Sequence, residues 1–286
     1  MKQNLLFSIA LGMTALLGLP SCTSNSPNPT QESVQTQQQI KIVGSSSTYA
    51  AMKILTDAYA SENQNVKFIF FPKGQSKGAI AAVKRGLTDF ASVSRKLKPK
   101  EDNGSLIYKM FAKDGLVVAT HPSVKGVSNL TTSQLKAIYS GAVTNWRELG
   151  GQNAEIVLLD RPEDESAKKL LREHYLGNKL KNAPKAAIMR HEPELINALQ
   201  NTPHSIGAFS LAYAISHKLL VNRLRLNGIE ATPENIKSGK YTMVRKIGIV
   251  RSEKPTTATE EFLDFAFSEK GAEILNNYGF VPSVKK

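Results

Sequence analysis

The stretch VGSSSTYAAMKILTDAYA, which runs from Val43 to Ala60, joins a predicted strand to a predicted helix. The strand is residues 40–43, in which apolar side chains dominate and alternate with a polar one, and a glycine ends it. The helix is indicated by the spacing of its apolar residues at i, i+3 and i+7, namely Met52, Leu55 and Tyr59. A strand, a polar loop and a helix in this order predict an α/β fold.

Four consecutive hydroxyl residues, SSST at positions 45–48, fill the loop between this strand and helix. One serine or threonine is enough to cap a helix, because its side chain satisfies an otherwise unpaired backbone N–H group. The free N–H groups and partial positive charge of a helix N-terminus also attract anions, and clustered hydroxyls complete a cradle for one. The stretch alone leaves both interpretations open, capping and anion binding.

The same order of strand, polar loop and helix occurs twice more. A strand at 66–71 leads through the loop GQSKG, which contains Ser76, into a helix at 79–86. A strand at 156–159 leads through a loop with Arg161 and Ser166 into a helix at 167–175. Repeated units of this kind predict a mostly parallel sheet with its loops gathered at one edge, where ligands of open α/β sheets bind.

The first 39 residues are predicted to lie outside the folded part. Residues 1–21 contain a basic start and an apolar run that are typical of a secretory signal. Cys22 comes directly after them, which resembles a lipoprotein signal whose cysteine is lipid-modified, although Pro20 is unusual there and ordinary cleavage nearby is the alternative. Residues 22–39 are polar and contain proline, which predicts a disordered tether. Because Cys22 is the only cysteine, the chain forms no internal disulfide.

The charge balance favours small anions as partners. Lys and Arg number 37 against 24 acidic residues, a formal net charge of +13. The basic residues are scattered, no basic run is interleaved with aromatics for base stacking, and an exported chain rarely meets DNA, so nucleic acid is not predicted as a partner. The histidines are too dispersed for metal-ligand spacing, so neither a metal nor a cofactor is predicted.

One enzyme class has to be considered. Residues 74–78 spell G-x-S-x-G around Ser76 in the strand-turn-helix context of a nucleophile elbow, and five histidines occur elsewhere in the chain. The position of Ser76 argues against a serine hydrolase. The nucleophile of an α/β-hydrolase follows several central strands, whereas only about one strand and one helix come before this loop. We therefore predict that the chain is not an enzyme and keep a hydrolase that uses Ser76 as the rival.

Five segments carry a resemblance to the phosphate-binding family among the solute-binding proteins of bacterial ABC importers. They occur in the family's order over residues 40–283 and read VGSSSTYAAMKILTDAY, GQSKGAI, TDFASVSR, LTTSQLKAIYSGAVTNWRELGG and YTMVRKIGIV with FAFSEKGAEILNNYGFVPS. The fourth segment is the most specific of them, and it also carries a Thr131/Gln134 capping box and a Ser-Gly helix stop.

The resemblance implies an α/β protein with a two-lobed periplasmic-binding-protein-like fold of type II. Two hinge crossovers join the lobes, and the ligand cleft lies between them. Residues 40–121 and 211–286 form lobe I, which is discontinuous, and residues 122–210 form lobe II. The family further implies that the chain binds a phosphate ion and passes it to a membrane permease. We expect a monomer, and the signal before Cys22 predicts a lipid anchor at the periplasmic or cell-surface side of the cell membrane.

Carried over by position, the anion contacts fall on hydroxyl and arginine side chains of four loops: Ser47, Thr48, Tyr49, Ser76, Ser94, Arg95, Arg161 and Ser166. A buried oxyanion must replace its lost hydration with many donors, which these residues supply at low net charge. Alternatives remain for three of them. In these alternatives to an anion contact, the Tyr49 side chain packs, Arg95 forms a salt bridge with Asp89, and Arg161 pairs with Glu163 or Asp164.

Two departures from the family pattern bear on the ligand. Many members have, where Ser94 stands here, a carboxylate that accepts the proton of monohydrogen phosphate and rejects fully ionised sulfate. The usual Arg-x-x-x-Ser-Gly-Thr loop has become RPEDESA, which lacks the glycine and the threonine. We hypothesise that Asp164 or Glu165 accepts the proton instead, and sulfate, molybdate or a phosphonate stays the alternative ligand.

Overall fold

The computed structural model describes residues 37–72, 74–102 and 104–283. In chain order its strands are β1 (Gln38–Gly44), β2 (Val66–Phe70), β3 (Phe90–Val93), β4 (Leu106–Thr120), β5 (Asn129–Leu130), β6 (Val157–Asp160), β7 (Ala187–Ile188), β8 (Ser205–Ser210), β9 (Asn222–Arg223), β10 (Arg225–Leu226), β11 (Val244–Ser252) and β12 (Val281–Pro282). Its α-helices are α1 (Tyr49–Glu62), α2 (Ser76–Lys84), α3 (Thr132–Ser140), α4 (Ser166–Leu171), α5 (Glu192–Asn201), α6 (Leu211–Ser216), α7 (Pro233–Lys237), α8 (Thr257–Ala266) and α9 (Glu269–Asn277).

The predicted signal at 1–21, Cys22 and most of the predicted tether lie outside the described residues. Strand β1 begins two residues before the predicted start at Ile40, because Gln38 and Gln39 already pair with β2 opposite Val66 and Lys67. Within the part of the chain that the structure describes, no helix combines the length and the apolar character needed to cross a membrane.

One sheet connects both halves of the fold, in the strand order β2-β1-β3-β11-β4-β8-β6-β7. At one end β1 pairs in parallel with β2 and β3, and at the other end β6 pairs in parallel with β7 and β8. In the middle β11 pairs antiparallel with β3 and β4, and β4 pairs antiparallel with β8. The prediction of a mostly parallel sheet is therefore right for the two ends and wrong for the middle.

The long strand β4 explains this difference. Its first part, residues 106–115, pairs with β11, and its second part, residues 116–120, pairs with β8. The chain thus passes from one half of the sheet to the other along β4. It comes back along β11 in the opposite direction, so the two strands pair antiparallel.

Apolar side chains form separate cores on the two halves. Helix α1 buries Met52 and Leu55 completely, against β-strand residues of the first half such as Ile40 and Phe90. Burying one such side chain contributes roughly 1.5–3 kcal/mol. The α1 face is therefore the one predicted from its i, i+3, i+7 spacing.

The second core combines the middle of the chain with part of the C-terminal third. Trp146 lies fully buried there, and its indole N–H donates to the carbonyl of His204 at 2.9 Å. Leu224, Ile236 and Met243 belong to the same cluster. The predicted lobe boundaries stay a prediction, and this packing places residues of 224–243 beside the middle segment.

The ends of α3 agree with the sequence signals. Thr131 accepts from the backbone N–H of Gln134, and the Gln134 side chain accepts in turn from the backbone N–H of Thr131, so the predicted capping box is confirmed. Gly141 ends the helix at φ 78°, a left-handed conformation that glycine adopts without strain.

Candidate functional site

A cleft of about 670 Å³ opens where the three predicted loops meet. One wall, the β1 wall, comes from the loops after β1, β2 and β3 and includes Ser45, Ser47, Gln75, Ser76, Ser94 and Arg95. The other wall, the β6 wall, comes from the loop after β6 and includes Asp164, Glu165, Ser166 and Lys169. Of the predicted site residues, the cleft brings together Ser47, Ser76, Ser94, Arg95 and Ser166.

The lining of the cleft is basic. Among the described residues, eight lysines and arginines line it against three acids, and the basic ones are Lys77, Arg95, Lys96, Lys98, Lys113, Lys169, Arg245 and Lys246. The acids are Asp164, Glu165 and Glu173. A concave surface with this excess raises the local concentration of anions.

Ser76 and Ser94 contact each other across two loops of the β1 wall. Ser76 is the first residue of α2, and its hydroxyl accepts from the backbone N–H of Ser94 at 3.2 Å and lies 3.3 Å from the Ser94 hydroxyl. No histidine in the described ranges hydrogen-bonds Ser76. A serine nucleophile needs such a base, so this geometry does not favour the hydrolase.

Thr48 is the residue before α1, and its side chain does not cap that helix. Its hydroxyl lies 2.8 Å from the Ser92 hydroxyl and donates to the carbonyl of Ser45 at 3.1 Å, while its backbone N–H donates to that carbonyl at 3.0 Å. Thr48 is fully buried and does not line the cleft. Its contact with an anion stays a prediction.

Gly44 makes this packing possible. A Cβ atom at Gly44 would lie 2.3 Å from the Ser92 hydroxyl oxygen and 3.4 Å from the Thr48 hydroxyl oxygen. A side chain at position 44 therefore clashes with the hydroxyl pair that joins the loop after β1 to β3. The glycine that ends the predicted strand is required by this close approach.

Tyr49 packs its ring edge-on against Phe70, with 5.2 Å between the ring centroids. This is the packing interpretation that the sequence left open, and Tyr49 does not line the cleft. The predicted contact between Tyr49 and an anion stays untested.

Arg95 lines the cleft, and its guanidinium group is paired with Glu101. Both terminal nitrogens donate to the Glu101 carboxylate at 2.7 Å. These hydrogen bonds lower the pKa of Glu101 from its usual 4.5 to about 2. The sequence left open a pairing of Arg95 with Asp89. In the structure Arg95 pairs with Glu101 instead, and the Asp89 carboxylate accepts from the backbone N–H of Lys41 at 2.6 Å.

Arg161 is buried next to the β6 wall, with 3 % of its surface exposed. One terminal nitrogen donates to the carbonyl of Arg190 at 2.7 Å and lies 3.2 Å from the Glu165 carboxylate. Its Nε and its other terminal nitrogen have no partner in the described part of the chain. Burial lowers the pKa of Arg161. Arg161 itself does not line the cleft, but Glu165 does.

The two acids that the sequence left open as alternative partners of Arg161 have other partners. Glu163 pairs with Arg172 at 2.7 Å. The Asp164 carboxylate accepts from the side-chain amide of Gln75 at 2.6 Å, and this hydrogen bond lowers the pKa of Asp164. Because Gln75 belongs to the β1 wall and Asp164 to the β6 wall, this bond joins the two sides of the cleft.

Arg245 on β11 lines the cleft and was missed by sequence reasoning. Its guanidinium group lies 3.1 Å from the Asp114 carboxylate and 2.9 Å from the Glu192 carboxylate. Burial raises the pKa of Asp114 to about 6, against the opposing charge of Arg245. The sequence signal for Arg245 was the alternation of side chains along β11. This alternation puts Arg245 on the same face of the strand as the buried Ile247 and Ile249.

Two α/β halves that enclose a basic, hydroxyl-lined cleft define a solute-binding protein. A family model described as a PBP superfamily domain matches residues 29–270. The chain therefore belongs to the PBP superfamily.

Relatives and solved structures extend this likeness over most of the chain. The phosphate-binding protein PstS of Borreliella burgdorferi is 29% identical over 256 residues, which cover 86% of this chain and 91% of that protein. PstS of Bacillus subtilis is 24% identical over 293 residues, covering 99% of this chain and 95% of that protein. A substrate-binding protein from Clostridium perfringens, whose crystal structure contains bound phosphate, superposes with a TM-score of 0.75 at 27% identity over 86% of this chain and 100% of that one.

These relatives are named as binding proteins and not as enzymes. The prediction that the chain is not an enzyme is thereby confirmed, and the serine hydrolase has no support. The predicted two-lobed fold of the periplasmic-binding-protein kind is confirmed by the family match and by the superposition.

Proposed function

We propose that this protein is an exported solute-binding protein that captures inorganic phosphate in the cleft and delivers it to the membrane permease of an ABC importer. The observation that carries the proposal is the meeting of Ser47, Ser76, Ser94 and Ser166 in a cleft whose described lining is rich in lysine and arginine. The likeness to two phosphate-binding proteins and to a structure with bound phosphate supports it.

The donors on the two walls suit phosphate. A desolvated oxyanion regains hydrogen bonds from hydroxyl groups, and Ser76 and Ser166 each stand at the first position of a helix. Ser47 and Ser94 add hydroxyls from the same β1 wall as Ser76. Arg161 lies next to the β6 wall and has two guanidinium nitrogens without a partner among the described residues. A charge-assisted hydrogen bond from such a group is stronger than a bond between neutral groups.

We propose that Glu165 is the acid that selects monohydrogen phosphate. The Asp164 carboxylate is engaged by Gln75 and lies 3.4 Å from Arg190, and its side chain is 52% exposed. Glu165 is only 12% exposed and lines the cleft. Its Oε2 lies 3.2 Å from Arg161, and its Oε1 lies 4.0 Å from Arg190. Of these two acids, we therefore propose Glu165 as the proton acceptor.

Such an acid distinguishes phosphate from sulfate through one proton. Monohydrogen phosphate donates its P–OH hydrogen to a carboxylate oxygen. Fully ionised sulfate has no hydrogen to donate, so two lone pairs face each other. An unsatisfied buried polar contact costs about 1–3 kcal/mol, which corresponds to roughly 5- to 150-fold in affinity.

Isothermal titration calorimetry on the purified protein, unfolded and refolded to remove bound ligand, tests the proposal with phosphate and sulfate. We expect phosphate to bind and sulfate to be silent. Glu165→Gln should reduce the preference for phosphate about tenfold or more, while the neighbouring Asp164→Asn serves as the matched control and keeps it. Equal binding of sulfate by the wild type would refute phosphate as the particular ligand. An unchanged preference in Glu165→Gln would remove the role of Glu165.

We further propose that Cys22 carries a lipid that anchors the protein on the outer side of the cell membrane, and that the protein is a monomer. The support for the anchor is the cysteine directly after the apolar run, with a polar tether behind it. Fatty-acid labelling of the cells should mark the wild type and leave Cys22→Ser unlabelled. Label on the Cys22→Ser protein contradicts the anchor.

A further inference from the structure

The guanidinium group of Arg245 lies at the centre of a buried network. One terminal nitrogen donates to Asp114 on β4 at 3.1 Å and to the carbonyl of Ser47 at 3.4 Å. The other donates to Glu192, at the start of α5, at 2.9 Å. Arg245 is 2% exposed and lines the cleft. The network thus fixes, from three elements, the side chain of a residue that lines the cleft.

The third nitrogen of this group, Nε, has no hydrogen-bond partner within the described ranges. Buried polar groups in native proteins are nearly always paired, so an unpaired one indicates a missing partner. Among the described residues, every buried side-chain nitrogen without a partner belongs to Arg161 or Arg245. The unmatched nitrogen donors of the described chain are therefore on two arginines, while three hydroxyl groups, those of Thr88, Tyr108 and Tyr139, are unmatched elsewhere.

These two arginines share one environment. Arg161 donates to the carbonyl of Arg190 at 2.7 Å, and Arg245 donates to the carboxylate of Glu192, two residues further on, at 2.9 Å. The charge of Arg245 in turn acts on Arg161. Unpaired nitrogens from the loop after β6 and from β11 thus belong to side chains held by one short segment, and Arg245 lines the cleft. Convergent donors of this kind match an anion with several acceptor oxygens.

We propose that Arg245 is a second anion-binding arginine, whose Nε–H donates to an oxygen of the phosphate bound in the cleft. The proposal rests on the proposed function. Asp114 and Glu192 hold the guanidinium plane in place and balance its charge, so Arg245 acts as an oriented donor more than as a free positive charge. Its contact with the Ser47 carbonyl ties this donor to the hydroxyl loop of the β1 wall.

Side-chain NMR tests this directly on the wild-type protein. The protein is labelled with [¹⁵N]arginine, and the Nε–H resonances are followed while inorganic phosphate is added. The resonance of Arg245 is assigned by its loss in Arg245→Lys. Arg251, on the same strand, donates to the carbonyls of Ser252 and Glu253 outside the cleft and serves as the internal control. We expect the Nε–H of Arg245 to shift on saturation and that of Arg251 to stay.

Affinity gives a second readout. Arg245→Lys keeps a positive charge near Asp114 and Glu192 but has no Nε–H, so we expect at least a tenfold weaker phosphate affinity by calorimetry. The matched control Arg251→Lys should change the affinity less than twofold. If the wild type binds phosphate and the Nε–H resonance of Arg161 shifts while that of Arg245 does not, this inference is overturned and the proposed function still stands. A wild type that binds no phosphate overturns both.

Discussion

At the scale of single residues, four hydroxyls that look alike in the sequence have different environments. Ser45 and Ser47 line the cleft. Thr48 is turned into the protein, where its hydroxyl lies 2.8 Å from that of Ser92 on β3. The two interpretations of the hydroxyl run were capping and anion binding. The structure adds a third role, since Thr48 joins the loop to the neighbouring strand.

Replacing the Thr48 hydroxyl should therefore affect stability first. In Thr48→Val the Ser92 hydroxyl and the Ser45 carbonyl lose a buried partner. We expect the free energy of unfolding to fall by about 1–3 kcal/mol in urea titrations. Phosphate affinity should fall less than in Ser76→Ala, which removes a hydroxyl that lines the cleft. If Thr48→Val lost affinity with unchanged stability, its hydroxyl would be an anion contact, as the family resemblance implies.

At the scale of elements, the loop after β3 is held by an ion pair near the mouth of the cleft. Arg95 and Glu101 form a two-pronged hydrogen-bonded pair, and Glu101 also accepts from the backbone N–H of Lys98 at 2.9 Å. This arrangement folds the segment after Ser94 back on itself. Arg95 thereby orders the loop that carries Lys96 and Lys98 into the cleft lining.

The pair gives a pH-dependent contribution to stability. The pKa of Glu101 is about 2 in the folded protein against the usual 4.5, so the contribution is complete above about pH 4.5 and is lost as the pH falls toward 2. The pair is partly exposed, so Arg95→Gln should cost about 1 kcal/mol or less at pH 7. Urea titrations at pH 7 and pH 3 should show a smaller difference from the wild type at pH 3. An equal difference at both pH values would contradict this role.

At the scale of the whole molecule, the cleft is larger than its proposed ligand requires. A volume of about 670 Å³ leaves room around a single tetrahedral anion. The hydrogen bond between Gln75 and Asp164 already joins the two walls at one point. We expect a bound anion to contact Ser76 and Ser166 at the same time, with the walls drawn closer by bending of the crossing strands β4 and β11.

We therefore expect phosphate to close the cleft by a hinge motion. Small-angle X-ray scattering should show a smaller radius of gyration with phosphate than without it, starting from roughly 18 Å for a folded chain of this size. Chloride at equal ionic strength is the control and should have no effect. A radius that stays constant while calorimetry shows phosphate binding would mean that the ligand binds to a preformed site.

Local patterns in the sequence predicted most of the fold because their causes are local. The spacing of Met52, Leu55 and Tyr59 indicated the buried face of α1, and the Thr131 capping box and Gly141 indicated the ends of α3. The three strand-loop-helix units placed the cleft at the strand ends. The family resemblance supplied the two-lobed arrangement, which the family match and the superposition confirm.

Which side chains reach the cleft, and which are already paired, depends on the tertiary structure. Arg95 finds Glu101 within its own loop, whereas Thr48 finds Ser92, which lies 44 positions away in the chain. Arg245 meets Asp114 and Glu192, which are 131 and 53 positions away. Sequence spacing reports periodicity along one element. Hydrogen bonds and ion pairs between elements depend on how the sheet brings distant strands together. The sequence was therefore enough to predict the loops. The contacts that their side chains make are decided by the folded structure.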